Sequence, residues 1–167
     1  MKIQLIAYLH DLFNRKEPGK PAFDIINAGV GGMLAIGCIA ILSNTTGNVL
    51  LMAPFGATCV LLFSAPGSPL SQPANVIGGH VISTTIGLLA YTLLPVEWWS
   101  MGLAVGLAIS AMAVLRITHP PAGADPLIVM LTGPGWEYLL FPVTLGSMAL
   151  VVFARLYHLL PTTKQHQ

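Results

Sequence analysis

The chain has 167 residues, 54% of them hydrophobic and only 8% charged, with a formal net charge of +1 and a mean hydropathy of +0.77. A soluble domain carries about a quarter charged residues, so this composition excludes an ordinary water-soluble globule. No basic patch offers itself to nucleic acid. Between Asp24 and Glu97 there is no Asp, Glu, Lys or Arg, a run far longer than the about 20 residues that one membrane helix needs. The chain therefore reads as an all-α polytopic membrane protein.

Residues 1–21 mix Ile3, Ile6, Leu9 and Phe13 with polar residues at roughly helical spacing, up to the breaker Pro18-Gly19. That pattern predicts an amphipathic helix lying on the membrane surface. No apolar core with a cleavage site follows Lys2, so a secretory signal peptide is not expected. A transmembrane domain over 22–161 follows, then a polar tail over 162–167.

Six apolar segments are predicted within the domain. The first, about Ile25 to Leu42, is rich in glycine, which lets membrane helices approach closely and suits a homo-oligomer. After "SNTTGN" comes a short second segment, about Val49 to Ala65, cut by Pro54. The third runs from about Ala74 to Leu94, and "VEWW" after it matches an interfacial aromatic belt. The fourth runs from about Met101 to Leu115, and a short fifth from about Pro121 to Leu131. The sixth, about Leu139 to Leu160, ends at Pro161. Cys38 and Cys59 fall in apolar segments, and no cysteine or histidine spacing suggests a metal site.

Segments one to three (about 25–95) and four to six (about 96–161) read as two copies. At a shift of 67, Pro54, Gly56 and Ala57 fall on Pro121, Gly123 and Ala124, and Gly79 on Gly146. At a shift of 66, "YTLLP" (Tyr91 to Pro95) falls on "YHLLP" (Tyr157 to Pro161). Three crossings per copy would invert the second copy, whereas re-entrant short segments would leave the copies parallel. Six crossings gather Lys2, Arg15, Lys16, Lys20, Arg116, Arg155 and Lys164 on one side and leave Glu97 and Glu137 on the other. The positive-inside rule favours that inverted arrangement, with both termini cytoplasmic.

The stretches Pro54 to Ala65 and Pro121 to Thr132 would each span roughly 18 Å as helix, short of a hydrocarbon core of about 30 Å. Each is expected to be a partial helix after irregular backbone, which is tolerated at depth only where it is buried or lines a wet cavity. Proline suits a helix start, and Gly56 and Gly123 are expected to let another group approach the backbone. Helix N-termini present free N–H groups and partial positive charge. Paired broken helices in corresponding positions point to a transport site, here Pro54, Gly56 and Ala57 with Pro120, Pro121, Gly123 and Ala124.

Ionisable side chains within a membrane are functional candidates. Arg116 and His119 suit an anion, although Arg116 could equally anchor a cytoplasmic edge and His119 could cap the following helix. Asp125 is expected to pair with Arg116 or His119 and hold the loop, or else to bind a proton or cation. His80 shares a helix face with Ser83 and Thr84. Met52, Phe55, Phe63 and Met130 read as packing rather than a gate.

The stretch "THPPAGADP" (Thr118 to Pro126), with "APFGATCVLLFSAPGSPLSQPANVIGGH" (Ala53 to His80), resembles the HPP family of integral membrane proteins. The resemblance covers roughly 22–161. Plant members are implicated in nitrite movement across the chloroplast envelope, and the family is usually described with four membrane-spanning helices rather than six. Some bacterial members carry an added regulatory domain, which is not seen before Gln167. With no transit peptide either, a bacterial inner membrane is the expected location. The expected function is a channel or transporter for a small inorganic anion, nitrite first, with no cofactor. The alternatives are a proton-coupled carrier of another solute, a membrane-embedded enzyme, and a scaffold. The enzyme is disfavoured because nucleophile-elbow, metal-cluster and cofactor motifs are missing.

Overall fold

The structure, a computed structural model, describes residues 11–14 and 17–160. The amphipathic segment expected over 1–21 falls largely outside the described residues, as does the polar tail. Six α-helices are present among the described residues: α1 (Ala22–Thr46), α2 (Pro54–Ser64), α3 (Pro73–Leu93), α4 (Trp98–Val114), α5 (Asp125–Thr132) and α6 (Leu145–Leu159). A 3-10 turn over Pro120–Ala124 precedes α5. Another 3-10 turn, Pro69–Ser71, lies before α3, and a third, Trp136–Leu139, with a loosened turn over Leu140–Thr144 that is extended at Phe141, leads into α6.

The punctuation follows local chemistry. Gly47 ends α1 and Gly133 ends α5, both in the left-handed conformation that glycine adopts without a side-chain clash. Pro54 and Pro73 occupy first helical positions, where the absent N–H needs no partner. Glu97 and Ser100 cap the start of α4 reciprocally. Arg116 N–H bonds to Ala113 C=O and Ile117 N–H to Met112 C=O, closing α4 in a Schellman turn with Arg116 at positive φ.

Among the described residues, three stretches are long and apolar enough to cross a membrane: Ala22–Thr46, Pro73–Leu93 and Trp136–Leu159. With the 17 residues of α4, that makes four long elements. The short ones are α2, with 11 residues, and α5, with 8; at 1.5 Å per residue they span about 16 and 12 Å. Four long and two short helices reconcile a four-helix description with six segments.

The outside is apolar: Phe23, Met33, Ile41, Val60, Leu107, Leu131 and Val152 are all exposed. The buried set, in contrast, includes Thr58, His80, Ser83, Thr84, Ser100, His119, Asp125 and Ser147. That distribution suits a surface solvated by lipid, where internal polar groups must find partners within the protein.

α1 packs on α2 and α6, α4 packs on α5 and α3, and α3 meets α6. Exchanging the two halves returns the same set of packing partners. Two glycines show the same reciprocity. A Cβ on Gly79 would come within 3.3 Å of the Ile117 carbonyl, and one on Gly146 would strike the Leu50 carbonyl. Leu50 and Ile117 are themselves 67 positions apart, as are the two glycines.

Candidate functional site

The residue before a proline is pushed toward extended backbone, so a helix cannot run through His119 into Pro120-Pro121. His119 is indeed extended, with φ −132° and ψ 103°. Helix α3 then clamps the loop. Asn75 Nδ2 donates to Thr118 C=O at 3.0 Å, and Ser83 Oγ to Ala122 C=O at 2.6 Å. Gly79 lies where a Cβ would sit 2.7 Å from His119 Cβ, so the loop touches bare helix backbone there. Gly87 serves α5 in the same way: a Cβ would come 2.9 Å from Pro126 Cα.

This clamp brings five buried polar side chains, Thr58, His80, Thr84, His119 and Asp125, into one hydrogen-bonded chain. His80 Nδ1 lies 2.8 Å from Asp125 Oδ2, which also accepts from Thr84 Oγ1 at 3.3 Å. His80 Nε2 is 2.9 Å from Thr58 Oγ1, and Thr58 Oγ1 is 3.0 Å from His119 Nε2. His119 Nδ1 donates to Leu70 C=O at 2.8 Å. Thr58, His80 and His119 are fully buried and Asp125 nearly so. Phe55 stands edge-on to His80, with ring centroids 5.3 Å apart. Asp125 Oδ1 is buried with no hydrogen-bond partner, which is costly for a carboxylate oxygen.

The expected residues divide accordingly. His80, His119 and Asp125 come together. Pro54 and Pro121 are buried, whereas Gly56, Ala57, Pro120 and Ala124 are exposed and Gly123 is half-buried. Several expectations are corrected. Pro121 does not begin the α-helix. Its segment is a 3-10 turn, and α5 starts at Asp125, where Pro126 follows. Gly56 and Gly123 have open space around Cβ; the close approaches occur at Gly79, Gly87 and Gly146, where helices cross other backbone. Asp125 pairs with His80 and Thr84, not with Arg116 or His119: the His80 ring, 5.1 Å from that of His119, offers its Nδ1 to the carboxylate, while His119 Nδ1 is taken by Leu70 C=O. Arg116 is exposed and turns the chain at the end of α4. His119 makes no side-chain cap to the turn it precedes and reaches across to Leu70 instead.

Thr58 was missed by sequence reasoning. The signal was present, since Thr58 falls on Asp125 at the same shift of 67 that aligns the P-x-G-A stretches. The Leu70 carbonyl carried no such signal. Among the described residues, no group of three or more His, Cys, Asp or Glu side chains could hold a metal ion. A groove between α1 and α2, lined by Gly32, Gly56, Cys59 and Val60, lies apart from the buried chain.

Apolar exterior, buried polar centre and interrupted helices define a polytopic α-helical membrane protein. The chain matches the model of the HPP transmembrane region over residues 17–167 and belongs to that family. It is similar to two transmembrane proteins of Dictyostelium discoideum. One is 38% identical over 116 residues, which cover 64% of this chain and 37% of the relative; the other is 34% identical over 113 residues, covering 62% and 39%. The matched region is thus less than two fifths of each relative's length. No solved structure matches the chain.

Proposed function

We propose that the protein moves a small inorganic anion across a membrane, with nitrite the first to test, and that it is a transporter rather than an enzyme. One observation carries this reading: Thr58, His80, His119 and Asp125 converge from both halves of the chain into a buried polar centre of an apolar-walled bundle. Buried polar groups in a membrane protein mark solute pathways by default, and two interrupted helices at matching positions mark the site of transport. His119 and His80 line the path, the starts of α2 and the Pro120–Ala124 turn approach it, and Asp125 orients His80.

The reciprocal contacts of Gly79 and Gly146 support a repeat, and the positions of Lys20, Arg116 and Arg155 support an inverted one with cytoplasmic termini. A bacterial inner membrane and a homo-oligomer complete the proposal, the glycine-lined face of α1 being suited to close helix contact.

The test is uptake by liposomes holding the purified protein, comparing nitrite with nitrate, formate and chloride. Selective nitrite uptake, weakened in His119→Ala, is the expected result. A folded protein that moves none of these anions faster than protein-free liposomes would overturn the reading.

A further inference from the structure

The hydrogen-bonded chain can be counted donor by donor. A carbonyl only accepts, so His119 Nδ1 facing Leu70 C=O carries a hydrogen. A neutral imidazole has one N–H, which leaves His119 Nε2 an acceptor. If Asp125 is ionised and His80 neutral, His80 Nδ1 carries the hydrogen and His80 Nε2 is an acceptor too. Thr58 has a single O–H hydrogen for two ring acceptors, and the Pro54 carbonyl, 3.3 Å away, has its helical N–H to accept without it. The closed arrangement is therefore one hydrogen short. One added proton completes it. His80 Nε2–H then donates to Thr58 Oγ1, and Thr58 O–H donates to His119 Nε2. The count is the same whether the added proton makes His80 an imidazolium or rests on Asp125.

We propose that this chain holds one transportable proton, relayed through Thr58, and that the anion crosses together with it. The proposal rests on the anion reading above. In the relay, the His80 Nε2–H bond breaks as a Thr58 O–H bond forms, and the original Thr58 O–H bond breaks as a His119 Nε2–H bond forms. No electron changes hands, and the charge moves from His80 to His119. Every hydrogen bond is remade in the mirrored state, with Thr58 now donating to His80. Losing the proton altogether strands one ring nitrogen, so the deprotonated chain must open. A second observation agrees: Asp125 Oδ1 is buried and unpartnered, so an anion arriving alone meets an uncompensated carboxylate oxygen, whereas an anion arriving with a proton does not. The polar and titratable groups facing the chain are Thr58 from α2, His80 and Thr84 from α3, His119 from the loop and Asp125 from α5. Tyr138, from the turn before α6, is within electrostatic reach of Asp125.

Coupling one proton to one monovalent anion makes transport electroneutral. Nitrite uptake into liposomes should follow an imposed pH gradient and ignore an imposed potassium–valinomycin potential. Thr58→Val should lose this uptake by about a hundredfold, the low end of what a positioned proton-transfer group contributes, and Thr58→Ser should retain it. Uptake that follows the potential and ignores the pH gradient overturns the coupling and leaves the anion reading standing. No uptake of any anion by the native protein overturns both. Should Thr58→Val fail to fold, nitrogen-15 NMR of histidine-labelled native protein decides: a hydrogen on one of the two Nε2 atoms supports the relay, and bare Nε2 on both His80 and His119 overturns it.

Discussion

Replacing Gly79 with alanine tests whether the HPP loop is held by contact with α3. The added methyl would lie 2.7 Å from His119 Cβ, 3.3 Å from Ile117 C=O and 3.4 Å from Met112 Sδ. Ordinary contact between carbon atoms begins near about 3.5 Å, so the loop must retreat by roughly 0.8 Å. Two of the three neighbours are backbone or Cβ atoms, which have no free rotation with which to escape. Overpacking of this kind costs about 1–3 kcal/mol. Alanine is also a better helix former than glycine by about 1 kcal/mol, which would mask part of the cost. Gly106→Ala, in α4, provides the reference: it is helical too, and nothing lies within 4 Å of its Cβ position. Denaturation of the two variants in the same detergent should differ by about 1–3 kcal/mol, the overpacking term alone. The 3.0 Å bond from His119 to Thr58 should lengthen past hydrogen-bond range, and nitrite uptake should fall in Gly79→Ala but not in Gly106→Ala. Equal stability and equal uptake in the two variants would refute the account of how the loop is held.

Arg116 is a non-glycine residue at φ 58°, a conformation that costs an L-residue roughly 1–2 kcal/mol. Arg116→Gly should raise stability by about 1 kcal/mol and leave nitrite uptake unchanged; lost uptake would restore Arg116 to the pathway. Single cysteines at Asn48 and at Ser68, in a background lacking Cys38 and Cys59, should be labelled from opposite sides of the membrane, and labelling from one side would sink the inverted arrangement.

The segment order was legible because burial in lipid leaves a coarse mark: long charge-free runs, with proline and glycine at their ends. Pro54 and Pro73 act locally, and helices start there; Gly47 stops α1 at Thr46, four residues beyond the Leu42 at which the apolar run was expected to end. His80, Ser83 and Thr84 were readable as one face because helical spacing is also local. The fifth segment was less legible. Pro121 resembles Pro54, but the extra prolines at 120 and 126 divide the stretch into a 3-10 turn and a helix starting at Asp125.

Sequence by itself determined the solvent, the six apolar segments and the presence of charge at a broken helix. Those properties depend on neighbours a few residues away, or on composition. Only the tertiary structure decided partners. It joined Asp125 to His80 across 45 residues and His119 to Thr58 across 61. It also removed Arg116 from the group and showed that Gly79, rather than Gly56, is where backbones touch. A hydroxyl such as that of Thr58 looks the same in sequence whether it faces lipid or two imidazoles. What it does depends on which helix crosses it, and that is set by the packing of the whole bundle.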